Sequence, residues 1–216
     1  MTKNTLILLN MFEPVDYRTC HNCEKETYID HKKLCQKCYK SGNKNIDKFI
    51  KHTQPYLVWV PYNNFLNIKY IAEGGFSKIF KANWNSNGQK RHIVLKALNN
   101  SKNADTKFLN ELKLNYELKS KFVIKCYGAT QDPKTKNYAF ILDYAPNGDL
   151  HHFLCKNFKK VTWKKKIDLF RDTIIGIKLL HNKKIIHCDL HSGNILIITN
   201  DFEAVISDLG FSQRVT

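Results

Sequence analysis

The chain has 216 residues, 43 % of them hydrophobic, which is enough for one medium domain plus a small module and excludes a disordered tail. Lys and Arg total 35 against 19 Asp and Glu, a formal charge of +16 that favours acidic partners such as nucleotides, phosphorylated peptides or anionic lipid. The lysines are scattered in short clusters such as Lys159-Lys160 and Lys164-Lys165-Lys166, with no aromatic-interleaved basic arm, so a solvated surface is expected rather than a nucleic-acid face.

Cysteine usage bears on the compartment. Seven cysteines form an odd set, and four of them pair as C-x-x-C, which points to metal rather than to a disulfide framework and so to a reducing, cytoplasmic setting. The apolar run Leu6-Ile7-Leu8-Leu9 is short and is interrupted by Asn10, unlike a signal peptide, and no stretch of roughly 18 apolar residues could span a bilayer. Residues 1–40 read as a zinc-knuckle module: Cys20 and Cys23 form one knuckle, Cys35 and Cys38 the other, with eleven residues between the pairs. Two thiolates at i and i+3 on a tight turn point the same way, and two such pairs complete the tetrahedral sulfur shell that zinc prefers. Such an ion would be structural, supplying folding energy that so small a segment cannot draw from a core. His21 and His31 then read as surface residues.

Residues 41–60 read as a linker carrying a short helix, with Asp47 near its start, Ile46, Phe49 and Ile50 at helical spacing, and Gln54-Pro55 at its end. An extended apolar lead, Leu57 to Tyr62, follows beside a domain expected over 61–216. That domain opens as a hairpin. Ile68 and Tyr70 precede Ala72-Glu73-Gly74-Gly75-Phe76-Ser77, and Ile79, Phe80 and Ala82 follow. Glycine at such a tip lets backbone N–H groups approach phosphate oxygens without a Cβ in the way. Arg91 to Leu98 then reads as a buried strand with a single inward lysine, Lys96, which is costly unless paired. The partner candidate is Glu111, beside the apolar face Phe108, Leu109, Leu112, Tyr116 of a helix expected over 105–119. Strands are expected over 123–130 and 138–143, joined by a polar turn at Asp132-Pro133-Lys134. Asp149 can cap a short helix through about Cys155. Thr162 starts a longer one to His181-Asn182, whose core face is expected to be Ile167, Phe170, Ile174, Ile177 and Leu180. The chain closes on His187-Cys188-Asp189-Leu190-His191-Ser192-Gly193-Asn194, an apolar run, and Asp208-Leu209-Gly210.

In this order the strings resemble the signature set of the protein kinase family, in its tyrosine-kinase-like group: a Gly-rich loop, a V-A-I-K strand, an H-R-D-L-x-x-x-N catalytic loop and D-F-G. The resemblance covers about residues 62–216 and implies an α+β, bilobal fold with a five-stranded small lobe bearing one helix and an incomplete helical large lobe. It implies a protein kinase that transfers the γ-phosphate of ATP to a protein hydroxyl, serine or threonine favoured. Asp189 would accept the substrate proton, Lys96 paired to Glu111 would hold the phosphates, and Asn194 with Asp208 would hold magnesium. Gly74, Gly75, Phe76 and Ile79 would line the nucleotide site, and Leu142 would be the gatekeeper beside hinge contacts at Asp143 and Ala145. The departures are Ala72 and Ser77 for two loop glycines, Cys188 for the arginine, His191 for the lysine common two residues after the catalytic Asp, and Leu209 for phenylalanine. A chain ending at Thr216 is also expected to lack the activation segment and later helices, leaving apolar surface for a partner chain. Two further readings are an ATP-binding pseudokinase or inactive truncated fragment, and a zinc-dependent interaction module with a kinase remnant.

Overall fold

The structure is a computed structural model that describes residues 40–53, 56–86, 89–101, 106–199 and 202–215, together with the backbone of 16–19 and 26–29. Near the N-terminus β1 (Asp16–Thr19) pairs antiparallel with β2 (Glu26–Ile29), setting Thr19 opposite Glu26. The expected zinc ligands Cys20, Cys23, Cys35 and Cys38 lie outside the described residues.

The small lobe is a six-stranded sheet in the order β3-β7-β8-β6-β5-β4. Its strands are β3 (Val58–Trp59), β4 (Phe65–Glu73), β5 (Ser77–Ser86), β6 (Gln89–Leu98), β7 (Cys126–Gln131) and β8 (Tyr138–Asp143). Alternation decides the faces: Ile93 and Leu95 of β6 turn to one side, where Phe65, Trp84 and Ile141 complete a buried layer. The opposite face receives α2 (Thr106–Glu117), whose Phe108 and Leu112 are fully buried against Phe140 and Tyr138. Five strands were expected; the sixth is β3, paired parallel to β7. A two-residue pairing is too short to show as alternation, so the apolar lead read only as extended. One bound also differs: β7 starts at Cys126 rather than Val123, which instead bridges to Ile206. The helix α1 (Lys44–Thr53) of the expected linker buries Ile46 and Ile50 in the same core as Phe108 and Leu112.

The second half holds α3 (Leu150–Asn157), α4 (Trp163–Asn182), β9 (Ile185–Ile186), β10 (Ile195–Ile197), β11 (Ala204–Ile206) and β12 (Gln213–Arg214). Asp149 and Thr162 cap α3 and α4 as expected, accepting from His152 N and Lys165 N. A cluster of Leu114, Leu118, Val123, Leu180, Ile185, Ile206 and Leu209 joins α2 to α4 and the β10–β11 hairpin, fixing one half against the other.

The expected core face of α4 holds at Ile177 and Leu180 but needs correction toward the start of the helix. Its buried stripe is Leu169, Thr173, Gly176 and Leu180, whereas Ile167, Phe170 and Ile174 are 62 %, 66 % and 46 % exposed, in line with Trp163. The reason is close approach. A Cβ at Gly176 would lie 2.8 Å from Ile206 Cδ1 and 3.0 Å from Phe122 O, so the stripe carrying Gly176 is the one that lets β11 pack against the helix. Among the described residues no helix is long and apolar enough to cross a membrane.

Candidate active site

Lys96 lies on β6 between its cross-strand neighbours Ile79 on β5 and Phe140 on β8. Its place on the face opposite Leu95 turns it toward α2, where Glu111 is buried one position before Leu112. The Lys96 Nζ is 2.9 Å from Glu111 Oε1 and 2.7 Å from Asp208 Oδ1. One cation therefore serves two carboxylates. Burial alone would lower the Lys96 pKa, but Glu111 and Asp208 together raise it. Burial raises the Glu111 pKa and the nearby Asp208 charge adds to it, with Lys96 only partly opposing.

Asp208 is placed by what flanks it. Leu209 sinks into the cluster that joins the two halves, and Asp208 adopts a left-handed backbone with φ of 58°. Gly210 N donates to Asp208 Oδ1 at 3.3 Å, and a Cβ at Gly210 would fall 3.1 Å from Glu111 Oε2 and 3.2 Å from Asp208 Oδ1. The glycine thus keeps the ion-pair cluster clear. The β10–β11 register sets Ile195 opposite Ile206, so Asn194 and Ser207 meet at the open end of the hairpin. There Ser207 N and Oγ both donate to Asn194 O, at 2.8 and 3.0 Å.

Asn194 Nδ2 donates to Asp189 O at 2.8 Å and to Asp189 Oδ2 at 3.2 Å, which ties the Asp189 carboxylate to the hairpin. The buried His187 completes the link. Its Nε2 lies 2.8 Å from the Ser207 carbonyl and so donates, leaving Nδ1 to accept from Asp189 N at 3.3 Å. Between them Cys188 has a left-handed backbone, φ 61°, and an exposed side chain. His191 Nε2 stands 3.9 Å from Asp189 Oδ2.

Gly74, Gly75 and Phe76 form the exposed tip between β4 and β5, closed by Gly74 N donating to Ser77 O at 2.8 Å. The Phe76 ring meets Phe211 edge-on, with centroids 5.1 Å apart, so the tip reaches the segment after Gly210. At the other end, Asp143 N donates to Lys125 O at 2.9 Å, while the Ala145 N–H donates to nothing among the described residues. The two are half-buried at the end of β8.

These groups suit a magnesium–nucleotide complex. Asp208 Oδ2 and the amide oxygen of Asn194 carry no hydrogen bond among the described residues, and both are hard oxygen donors. The structure brings together Lys96, Glu111 and Asp208 directly, and Asp189 with Asn194. Sequence reasoning missed the tether through His187 and Ser207, the space kept by Gly210, and Phe211. A histidine two residues before Asp189 was a visible signal; the ring contact of Phe211 had none.

Comparison with known proteins agrees with the geometry. Residues 66–216 match the family model of the protein tyrosine and serine/threonine kinases. Relatives include a tyrosine-protein kinase of Girardia tigrina, 26 % identical over 144 residues, covering 66 % of this chain and 28 % of that protein. A leucine-rich repeat receptor-like protein kinase of Arabidopsis thaliana is 30 % identical over 164 residues, covering 70 % and 14 %. LIM domain kinase 1 of Drosophila melanogaster is 29 % identical over 146 residues, covering 67 % and 11 %. The chain thus spans under a third of the length of these relatives. With the paired lysine, the tethered aspartate and the family match over one continuous stretch, the chain belongs to the protein tyrosine and serine/threonine kinase family.

Proposed function

We propose that the chain transfers the γ-phosphate of ATP to a protein hydroxyl, serine or threonine in preference to tyrosine. The observation that carries this reading is Lys96 held at 2.9 and 2.7 Å between Glu111 and Asp208, with Asp189 and Asn194 joined on the neighbouring loop. Lys96 meets the phosphates under the backbone of Gly74, Gly75 and Phe76; Ile79 and the main chain of Asp143 and Ala145 face the base. Asp189 takes the proton of the attacking hydroxyl as its oxygen bonds to the γ-phosphorus and the bond to the β-phosphate oxygen breaks, releasing ADP. Asp208 and Asn194 would hold magnesium, which when bound offsets the phosphate charge. The D-L-H-S-G-N string supports the serine/threonine preference through its likeness to the tyrosine-kinase-like group.

Transfer of radiolabel from γ-labelled ATP to a protein substrate tests the reading. Asp189→Asn is expected to lower transfer by about 10²-fold or more while Mg-ATP still binds; transfer unchanged in this variant would overturn it. A second reading, nucleotide binding without turnover, is favoured by Ala72 and Ser77 in place of loop glycines. Thermal stabilisation by Mg-ATP with no transfer in the unaltered chain selects that alternative.

Structural zinc on Cys20, Cys23, Cys35 and Cys38 is part of the same proposal, supported by the spacing of the two pairs. One zinc per purified chain, lost with unfolding of residues 1–40 on chelation, is its test. An intracellular, reducing location fits the free thiols of Cys126, Cys155 and Cys188. The exposed ladder of α4 is the surface that the expected partner chain would cover.

A further inference from the structure

The segment before the catalytic core is built into the lobe that carries Glu111. Asn43 Oδ1 accepts from Asn45 N and Ile46 N, and Ser41 donates through N and Oγ to Asp47 Oδ1, fixing the start of α1. From there Ile46 and Ile50, 0 % and 4 % exposed, pack with Phe108 and Leu112 of α2. Farther along, Phe49 meets Tyr116 of α2 edge-on with centroids 6.1 Å apart, and Tyr56 meets the same ring at 6.2 Å. The Lys119 Nζ lies 3.4 Å from the Tyr56 centroid and 3.7 Å from that of Tyr116, joining the two rings.

An independent feature of β7 receives the same segment. Val58 of β3 pairs with Gly128, and a Cβ there would lie 1.8 Å from Val58 O; Gly128 also has φ of 147°, which L side chains rarely adopt. A register shift between Cys126 and Gly128 marks a bulge at this place. The sheet therefore has a seat shaped for β3, and β3 anchors the far end of α1. Beside that face of α2, Glu111 is fixed by Lys96, and Asn115 Nδ2 donates to Glu111 O at 2.9 Å.

We propose that residues 40–53 and 56–60 form a brace that holds α2 against the sheet and so positions Glu111 on Lys96, with Phe49 and Tyr116 as positioning residues. The ion pair is then maintained by the chain's own preceding segment. Any event that lifts α1 loosens the pair. The consequence for nucleotide binding rests on the kinase reading above; the effect on α2 does not.

Amide hydrogen exchange of the full chain, read separately on residues 106–117 and 77–98, tests the brace beside calorimetric titration with Mg-ATP. An edge-to-face ring pair corresponds to a change of about two- to tenfold. Phe49→Ala is expected to speed exchange in α2 by that factor and to weaken Mg-ATP binding, with β5 and β6 unchanged, and Phe49→Tyr to restore both. Gly128→Ala, which dislodges β3 without touching α2, should give the same pattern more strongly. Unchanged α2 exchange in both variants would overturn the proposal, as would equal acceleration in β5 and β6, which marks general loss of stability. If the unaltered chain binds no Mg-ATP, the kinase reading falls while the exchange contrast still decides the brace.

Discussion

Lys96 sits where three segments far apart in sequence converge, and its single charge faces two carboxylates at 2.9 and 2.7 Å. Lys96→Met leaves Glu111 buried beside Asp208 with no cation. Removing one partner of a buried ion pair costs about 3–5 kcal/mol, and here the cost depends on pH. Burial already holds the Glu111 pKa above its ordinary 4.5, and loss of the opposing ammonium raises it further. A carboxyl with a raised folded pKa contributes fully below its unfolded value and loses that contribution as pH rises through the folded one. The deficit of the variant relative to the unaltered chain is therefore smallest below about pH 4.5 and grows toward neutrality. The raised Lys96 pKa keeps the native contribution intact until well into alkaline pH. Urea midpoints across this range check it; a deficit independent of pH would exclude the mechanism. At this scale the polar residues were legible, since Lys96, Glu111, Asp189, Asn194 and Asp208 are unusual among apolar neighbours or fixed in spacing. What holds them was not: Gly210, Ser207 and Phe211 act through distances that only folding creates.

Elements with chemical start signals were read well, and those defined by close approach were not. Asp149 and Thr162 announce α3 and α4 because a short polar side chain at a helix start satisfies free N–H groups. Asp149→Ala is expected to cost about 1 kcal/mol. Burial alone would raise the Asp149 pKa, but the His152 backbone N–H and ring hold it below its ordinary 3.8. Its stabilising contribution is thus present above that value and lost as pH falls through the lower folded one. Thermal melts of both proteins should converge in strong acid. On α4 two stripes compete, Trp163-Ile167-Phe170-Ile174 and Leu169-Thr173-Gly176-Leu180. Hydrophobicity favours the first, whereas the contact with β11 selects the second because only a small residue at 176 admits Ile206. Periodicity in one dimension ranks faces by composition and carries no information about how near a neighbour must come.

Across the whole molecule, the order of motifs conveyed the α+β, two-part plan, and the family match over 66–216 agrees with it. The expectation of a linker before residue 60 missed how far the core extends toward the N-terminus, since α1 looks like any short amphipathic helix until Phe108 and Leu112 are seen beneath it.

The outward ladder of α4 has a colloidal consequence. Trp163, Ile167, Phe170 and Ile174 offer an apolar strip, while the chain carries a formal charge of +16 that holds copies apart. The Debye length shrinks from about 30 Å at 0.01 M salt to about 8 Å at 0.15 M. Added salt should therefore remove the barrier before it weakens the strip, and static light scattering should show the second virial coefficient turning from positive to negative as salt rises. Replacing Phe170 by Lys should keep it positive across that range; a sign change equal in both proteins would locate the attraction elsewhere.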